Sequence, residues 1–120
     1  VRAFLKSLGF ALAGLRHGLL GQRNVKIQLC CFLLAVLLGI ALDFSRIELA
    51  FVLIVSALVL CLEMANSALE ALADALRPQR DQGVGRAKDL MAGAVLLASL
   101  FALAAGALLY LPKLCGLLWR

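Results

Sequence analysis

One stretch of this 120-residue chain holds residues whose types and spacing could do chemistry: Glu63-Met-Ala-Asn66-Ser67-Ala-Leu-Glu70-Ala-Leu-Ala-Asp74. On an ideal helix, positions 66, 70 and 74 lie at about −60°, −20° and +20° from Glu63, and Ser67 at about +40°. Every polar group therefore shares a stripe about 100° wide, and the rest of the segment is Ala, Leu and Met. Carboxylate oxygens hold a hard divalent ion such as Mg²⁺. Lysine and arginine neutralise phosphate oxygens, and Arg86, Lys88 and Asp89 follow in the next segment. A carboxylate within hydrogen-bonding reach can take the proton of an attacking hydroxyl. Positioning and charge stabilisation are nearly all that phosphoryl transfer requires. The residues alone leave cation-dependent phosphate chemistry beside an ion or proton pathway. Glu70 and Asp74 could simply be solvated near a helix end, whereas Glu63 is the deepest acid. The chain has no Walker A loop and no kinase glycine-rich motif.

The elements that must position these groups are membrane helices. The chain is 64% hydrophobic and 16% charged, with a mean hydropathy of +1.02, more apolar surface than a soluble domain of this size can bury. The apolar segments recur along the whole length, so a cleavable leader does not account for them. The expected fold class is all-α and integral to the membrane, in a single domain over 1–120. An N-terminal amphipathic surface helix spans 1–20, and membrane helices span 25–42, 46–76 and 86–111. In the first segment Arg2, Lys6 and Arg16 fall within about 80° of one another, with Phe4, Leu5, Leu8, Leu12, Leu15 and Leu19 mainly on the remaining arc. Gly18 and Gly21 bracket a break. Lys26 and Gln28 sit at the inner boundary of the first span, whose unbroken apolar run starts at Leu29. Asp43, Ser45 and Arg46 form a tight polar turn. Pro78 stops the second span, and 77–85 is a polar connector. The third span carries no charge from Leu90 to Leu111. Pro112 and Lys113 end it, and Trp119 suits an interfacial anchor.

Arg2, Lys6, Arg16, Arg23 and Lys26 precede the first span, and Arg77, Arg80, Arg86 and Lys88 lie around the second connector. The opposite side has only Arg46, Lys113 and Arg120. This asymmetry puts the N-terminus and the second connector in the cytoplasm. The net charge of +5 is accordingly read as facing anionic lipid rather than nucleic acid, because no basic motif is interleaved with aromatics. Cys30, Cys31, Cys61 and Cys115 form no CxxC pair, and His17 has no cysteine at ligand spacing, so they read as apolar filler rather than a zinc site. Counted from Arg46 at the outer boundary, Glu63 lies ~25 Å inward, near the inner edge of the hydrocarbon. Gln22-Arg23-Asn24 and Gly85-Arg86-Ala87-Lys88-Asp89 begin their spans at that same level. An acid in such a place is costly and marks a functional site by default.

Leu62-Glu-Met-Ala-Asn-Ser-Ala-Leu-Glu-Ala-Leu-Ala-Asp74, followed by Arg86-Ala-Lys-Asp-Leu-Met-Ala-Gly-Ala-Val-Leu-Leu97, resembles the prokaryotic diacylglycerol kinase and undecaprenol kinase family. The E-x-x-N-S-x-x-E and A-K-D-x-x-x-[GA]-A-V-L blocks stand in order and correctly spaced, and the resemblance covers nearly the whole chain. It implies ATP- and Mg²⁺-dependent phosphorylation of a membrane lipid alcohol in the bacterial cytoplasmic membrane. It also implies a homotrimer whose composite sites lie at subunit boundaries, with the surface helix contributing. By family pattern Glu63 is the base, Glu70 ligates Mg²⁺, Asn66 and Lys88 address the γ-phosphate, and Asp89 supports the site. Asp74 and Arg16 match further polar positions that bind nucleotide or substrate. The family usually has a glutamate as a second metal ligand where this chain has Gln22. A neutral amide there weakens metal attraction, leaves room for a water or a nearby acid, or impairs the site. The Gln22-Arg23-Asn24 opening and the Lys88–Leu97 block look closer to undecaprenol kinases of Gram-positive type than to the diacylglycerol branch. Two other readings compete: a small proton- or cation-coupled transporter, and a non-catalytic protein on the kinase scaffold. Ala92, Gly93, Ala104, Ala105 and Gly106 permit close helix packing without setting an oligomer number.

Overall fold

Backbone polar groups in hydrocarbon must find their partners within the segment, so long apolar stretches fold as helices. The computed structural model describes residues 1–76 and 81–118. Its helices are α1 (Arg2–Gly21), α2 (Arg23–Ala41), α3 (Arg46–Leu76) and α4 (Gln82–Leu118). The last three are 19, 31 and 37 residues long, and each is long and apolar enough to cross a membrane. The roles expected for Arg77, Pro78, Arg80, Trp119 and Arg120 fall outside the described residues.

The break after α1 is a single residue. Gln22 takes an extended backbone (φ −97, ψ 123), donates its N–H to Gly18 O at 3.2 Å, and accepts Lys26 N–H at 3.1 Å. Between α2 and α3, Asp43 adopts φ 53, a left-handed conformation that aspartate tolerates better than most residues. Phe44 N–H then donates to Gly39 O at 3.0 Å and closes the turn. Ser45 and Glu48 form a reciprocal cap on α3. Glu48 N–H donates to Ser45 Oγ at 3.3 Å, and Ser45 N–H donates to Glu48 Oε2 at 2.7 Å.

α4 is longer than the 86–111 expected, at both ends. Asp81 Oδ1 accepts the N–H groups of Gly83 (2.8 Å) and Val84 (3.2 Å), an N-cap that starts the helix four residues early despite two glycines. At the other end α4 continues through Pro112, which lacks an N–H for the carbonyl of Leu108 and costs ~3 kcal/mol in a helix interior. Tertiary contacts offset that loss. Lys113 Nζ donates to Asp43 O at 3.2 Å and Glu48 Oε2 at 3.5 Å, and sits 5.3 Å from the centre of the Phe44 ring. Tyr110 Oη donates to Ala35 O at 2.6 Å, its ring centre 4.6 Å from that of Phe44.

α3 is the middle helix, packed against α2 on one side and α4 on the other, while α1 leans on α2. The buried apolar core is small: Val25, Phe44, Val52, Val59 and Val95. Large residues such as Leu90, Leu103 and Leu108 face outward, as they must where lipid is the solvent. Gly93 and Gly106 would meet no atom within 4 Å if given a Cβ, so neither of these glycines marks a close helix contact among the described residues.

Candidate active site

The buried face of α3 runs Val52, Val59, Glu63, Asn66, at spacings of seven, four and three that keep it on one side of the helix. The stripe identified in the sequence is therefore the continuation of the core. Its first two members are enclosed, Glu63 at 4% exposure and Asn66 at 7%. Glu70 and Asp74, further along α3, are exposed, matching a passage from hydrocarbon to water.

α1 helps to enclose this level. Gly18 is buried, and a Cβ there would lie 2.8 Å from the terminal methyl of Met64, the neighbour of Glu63. A side chain at this position would have to displace the end of Met64 for α1 to approach this closely. The sequence pattern marks Gly18 as a helix break, whereas a glycine inside an otherwise helical amphipathic pattern also signals a close approach.

Asn66 Nδ2 donates to Glu70 Oε1 at 3.4 Å, which leaves Asn66 Oδ1 buried with no partner. A buried amide oxygen in that state lacks about 1–3 kcal/mol of compensation and points to a missing donor or cation. Across the α3–α4 boundary Lys88 Nζ donates to Asp74 Oδ1 at 2.9 Å. The Asp74 side chain is 72% exposed, so this pair is weakly held and readily exchanged for another anion. The other described ion pair, Lys113–Glu48, stands at the opposite end of the bundle, so Glu63 has no ion-pair partner among the described residues, while Glu70 lies within electrostatic reach of Lys88.

The structure thus joins Asn66 to Glu70 and Asp74 to Lys88, with Glu63 on the same face. It does not join Arg16, Gln22 or Asp89 to them. Arg16 and Asp89 are exposed, Gln22 is half-buried at the α1–α2 break, and no described side-chain hydrogen bond links any of the three to the α3 stripe. Arg16 instead lines an open groove of about 640 Å³ beside His17, Leu20 and Gly21.

For Mg²⁺ the donor set fits in part. Among the described residues no group of three His, Cys, Asp or Glu could hold a metal unaided. The Glu70 carboxylate and the orphaned Asn66 Oδ1 are nevertheless hard oxygen donors four residues apart. Mg²⁺ is commonly bound by one or two such groups, with waters and substrate phosphates completing the shell.

A surface helix leading into three spans, with a buried acid and amide where the middle span meets water, defines a small integral membrane protein with an interfacial polar site. The sequence profile of the family "Prokaryotic diacylglycerol kinase" matches residues 9–110. Proteins named diacylglycerol kinase are similar to this chain. That of Synechocystis is 35% identical over 115 residues, covering 95% of this chain and 66% of the relative. That of Escherichia coli K12 is 32% identical over 98 residues, covering 82% and 80%, and that of Haemophilus influenzae is 28% identical over 96 residues, covering 78% and 80%. The chain thus spans about two thirds of the cyanobacterial protein's length. It belongs to the prokaryotic diacylglycerol kinase family.

Proposed function

We propose that the chain is a lipid kinase of the bacterial cytoplasmic membrane, transferring the γ-phosphoryl group of ATP to the hydroxyl of a membrane lipid alcohol. Glu63 supports this reading most directly. It is an acid at 4% exposure with no cationic partner among the described residues, on a helix face that continues outward as Asn66 and Glu70. A lipid hydroxyl reaches such a group from the bilayer, while a nucleotide reaches Glu70 and Lys88 from the aqueous side.

In the proposed reaction the lipid oxygen attacks the γ-phosphorus. The new O–P bond forms as the bond to the β-γ bridging oxygen breaks, and ADP leaves with that electron pair. Glu63 accepts the hydroxyl proton. Lys88, exchanging Asp74 for phosphate, neutralises charge on the transferred group, and the Asn66 amide positions it. Glu70 with Asn66 Oδ1 would hold Mg²⁺, which when bound draws charge from the phosphate oxygens. Arg16, Asp89 and Gln22 belong to this scheme by family pattern. A homotrimer with shared sites would bring further groups to Glu63, and the Lys/Arg asymmetry puts the site on the cytoplasmic side.

The substrate is undecaprenol or diacylglycerol. The name carried by the relatives favours diacylglycerol, and the opening of the first span favours undecaprenol. Purified protein given γ-labelled ATP, Mg²⁺ and each lipid in parallel decides. One lipid becomes labelled and Glu63→Gln loses that labelling; label on neither lipid alcohol overturns the proposal.

A further inference from the structure

The two ends of α4 are held very differently. At the outer end the Tyr110 hydroxyl is bonded to Ala35 O and its ring packs on Phe44. Lys113 Nζ donates to Asp43 O and Glu48 Oε2 and lies over the Phe44 ring. These contacts tie α4 at once to α2, to the turn after it and to the start of α3. Toward the inner end α4 packs on α3. There the only side-chain bond from α4 to another helix, among the described residues, is the 2.9 Å pair of Lys88 Nζ with Asp74 Oδ1. Val84, Lys88 and Met91 share a face of α4 and are only half-buried, and the first enclosed residue on that face is Val95. Gly85 and Gly93 would meet no atom within 4 Å if given a Cβ, so neither marks a tight contact on this arm.

The weak point of the helix lies at the clamped end. Pro112 offers no N–H to Leu108 O and its ring crowds that carbonyl, the commonest cause of a helix bend. Tyr110 and Lys113 bracket the proline, so the bend falls inside the clamp. Between Lys88 and Leu108 the helix runs ~30 Å, and a deflection of ~6° at the proline carries Lys88 by ~3 Å. That is about the length of its bond to Asp74. Six Cα steps join Leu76 to Gln82, and at up to ~20 Å when extended they limit such a swing without preventing it. Charge sets its direction. An anion arriving at Lys88 meets the carboxylates of Glu70 and Asp74, one turn apart on α3, and their repulsion favours a wider gap.

We propose that α4 is a lever, clamped at its outer end by Tyr110 and Lys113 and latched at its inner end by the Lys88–Asp74 pair. When nucleotide phosphates take Lys88 from Asp74, the arm from Gln82 to Leu108 swings about Pro112 and its inner end parts from α3. Asp74 thus acts through Lys88 as a positioning residue, holding the site closed while it is empty. The trigger rests on the kinase reading; the clamp, the latch and the pivot do not.

Distances between paired spin labels test this on the full chain in lipid bilayers, diluted with unlabelled protein. Cys30, Cys31, Cys61 and Cys115 are first replaced by alanine. Labels at the exposed positions Leu72 and Leu90 report the inner ends of α3 and α4, and labels at Ile47 and Leu117 report the outer ends. A non-hydrolysable ATP analogue with Mg²⁺ lengthens the inner distance by ~3 Å or more and changes the outer one by less than ~1 Å. Asp74→Ala gives the same lengthening with no nucleotide present; the Asp74 side chain is 72% exposed, so its loss opens no cavity. Pro112→Ala restores the missing N–H and shortens the swing in both cases. An unchanged inner distance in Asp74→Ala overturns the proposal whatever the nucleotide does. Equal changes at the two pairs, or a swing undiminished in Pro112→Ala, overturn it as well. Lengthening in Asp74→Ala, with no response to the analogue and no lipid alcohol phosphorylated, upholds the lever and defeats the kinase reading instead. The same result with lipid still phosphorylated overturns the nucleotide trigger.

Discussion

Replacing Glu63 by leucine removes the proposed general base and should also make the protein more stable. An acid at the centre of a membrane helix costs ~2.5–3.5 kcal/mol on insertion scales. Glu63 lies ~25 Å from the outer boundary of a core ~30 Å thick, which leaves it ~5 Å short of the inner one. The penalty there is a fraction of the central value, ~1–2 kcal/mol. Nothing described offsets it, because Glu63 is at 4% exposure and the described ion pairs lie elsewhere. Glu63→Leu should therefore raise the unfolding free energy by about 1–2 kcal/mol, measured by denaturant titration in mixed micelles. Glu63→Gln, which keeps the volume, should gain less. Both should lose lipid phosphorylation by ~10²-fold or more, the usual contribution of a general base. A Glu63→Leu protein clearly less stable than wild type would refute the reasoning. It would mean that the carboxylate is satisfied in the assembled protein, and the strained-acid account of the site would fall with it.

Gln22→Glu should tighten divalent binding by about tenfold, ~1.4 kcal/mol, read by Mn²⁺ paramagnetic resonance without turnover; unchanged binding would remove Gln22 from the metal's surroundings. Gly18→Leu should push α1 off Met64, costing about 1–3 kcal/mol by overpacking and lowering phosphorylation with it. Gly18→Ala should be milder, because the contact is the flexible end of methionine, and equal effects of the two would contradict this. Tyr110→Phe loses the hydroxyl bond to Ala35 O but keeps the ring against Phe44, and should lower stability by about 1 kcal/mol in the same titration.

Much of this architecture is legible in the residues. Lipid demands continuous apolar runs, and these expose the spans from Leu29, Arg46 and Leu90. The 3.6-residue period puts Glu63 and Asn66 on the face that also buries Val52 and Val59. Boundaries were less legible where one side chain overrides composition. Asp81 caps α4 ahead of two glycines, and Lys113 carries the helix past Pro112 through partners seventy and sixty-five residues away. The Ser45-x-x-Glu48 cap is readable from its spacing alone. Contacts between elements left the faintest marks. A glycine at 18 does not name Met64 as its neighbour, and no pattern along the chain couples Tyr110 to Ala35. Arg16, Gln22 and Asp89 match a family pattern, yet within one protomer the geometry gives them no common partner.

The molecule measures 59 × 42 × 20 Å, so its shortest dimension is about two helix diameters. A single protomer that thin has no second layer behind Glu63. Beyond one flanking helix, whatever surrounds Glu63 comes from outside the protomer, from another subunit or from acyl chains. Where acyl chains fill that place they act as building material for the site, and changing their length or order should alter its surroundings as changing a residue would.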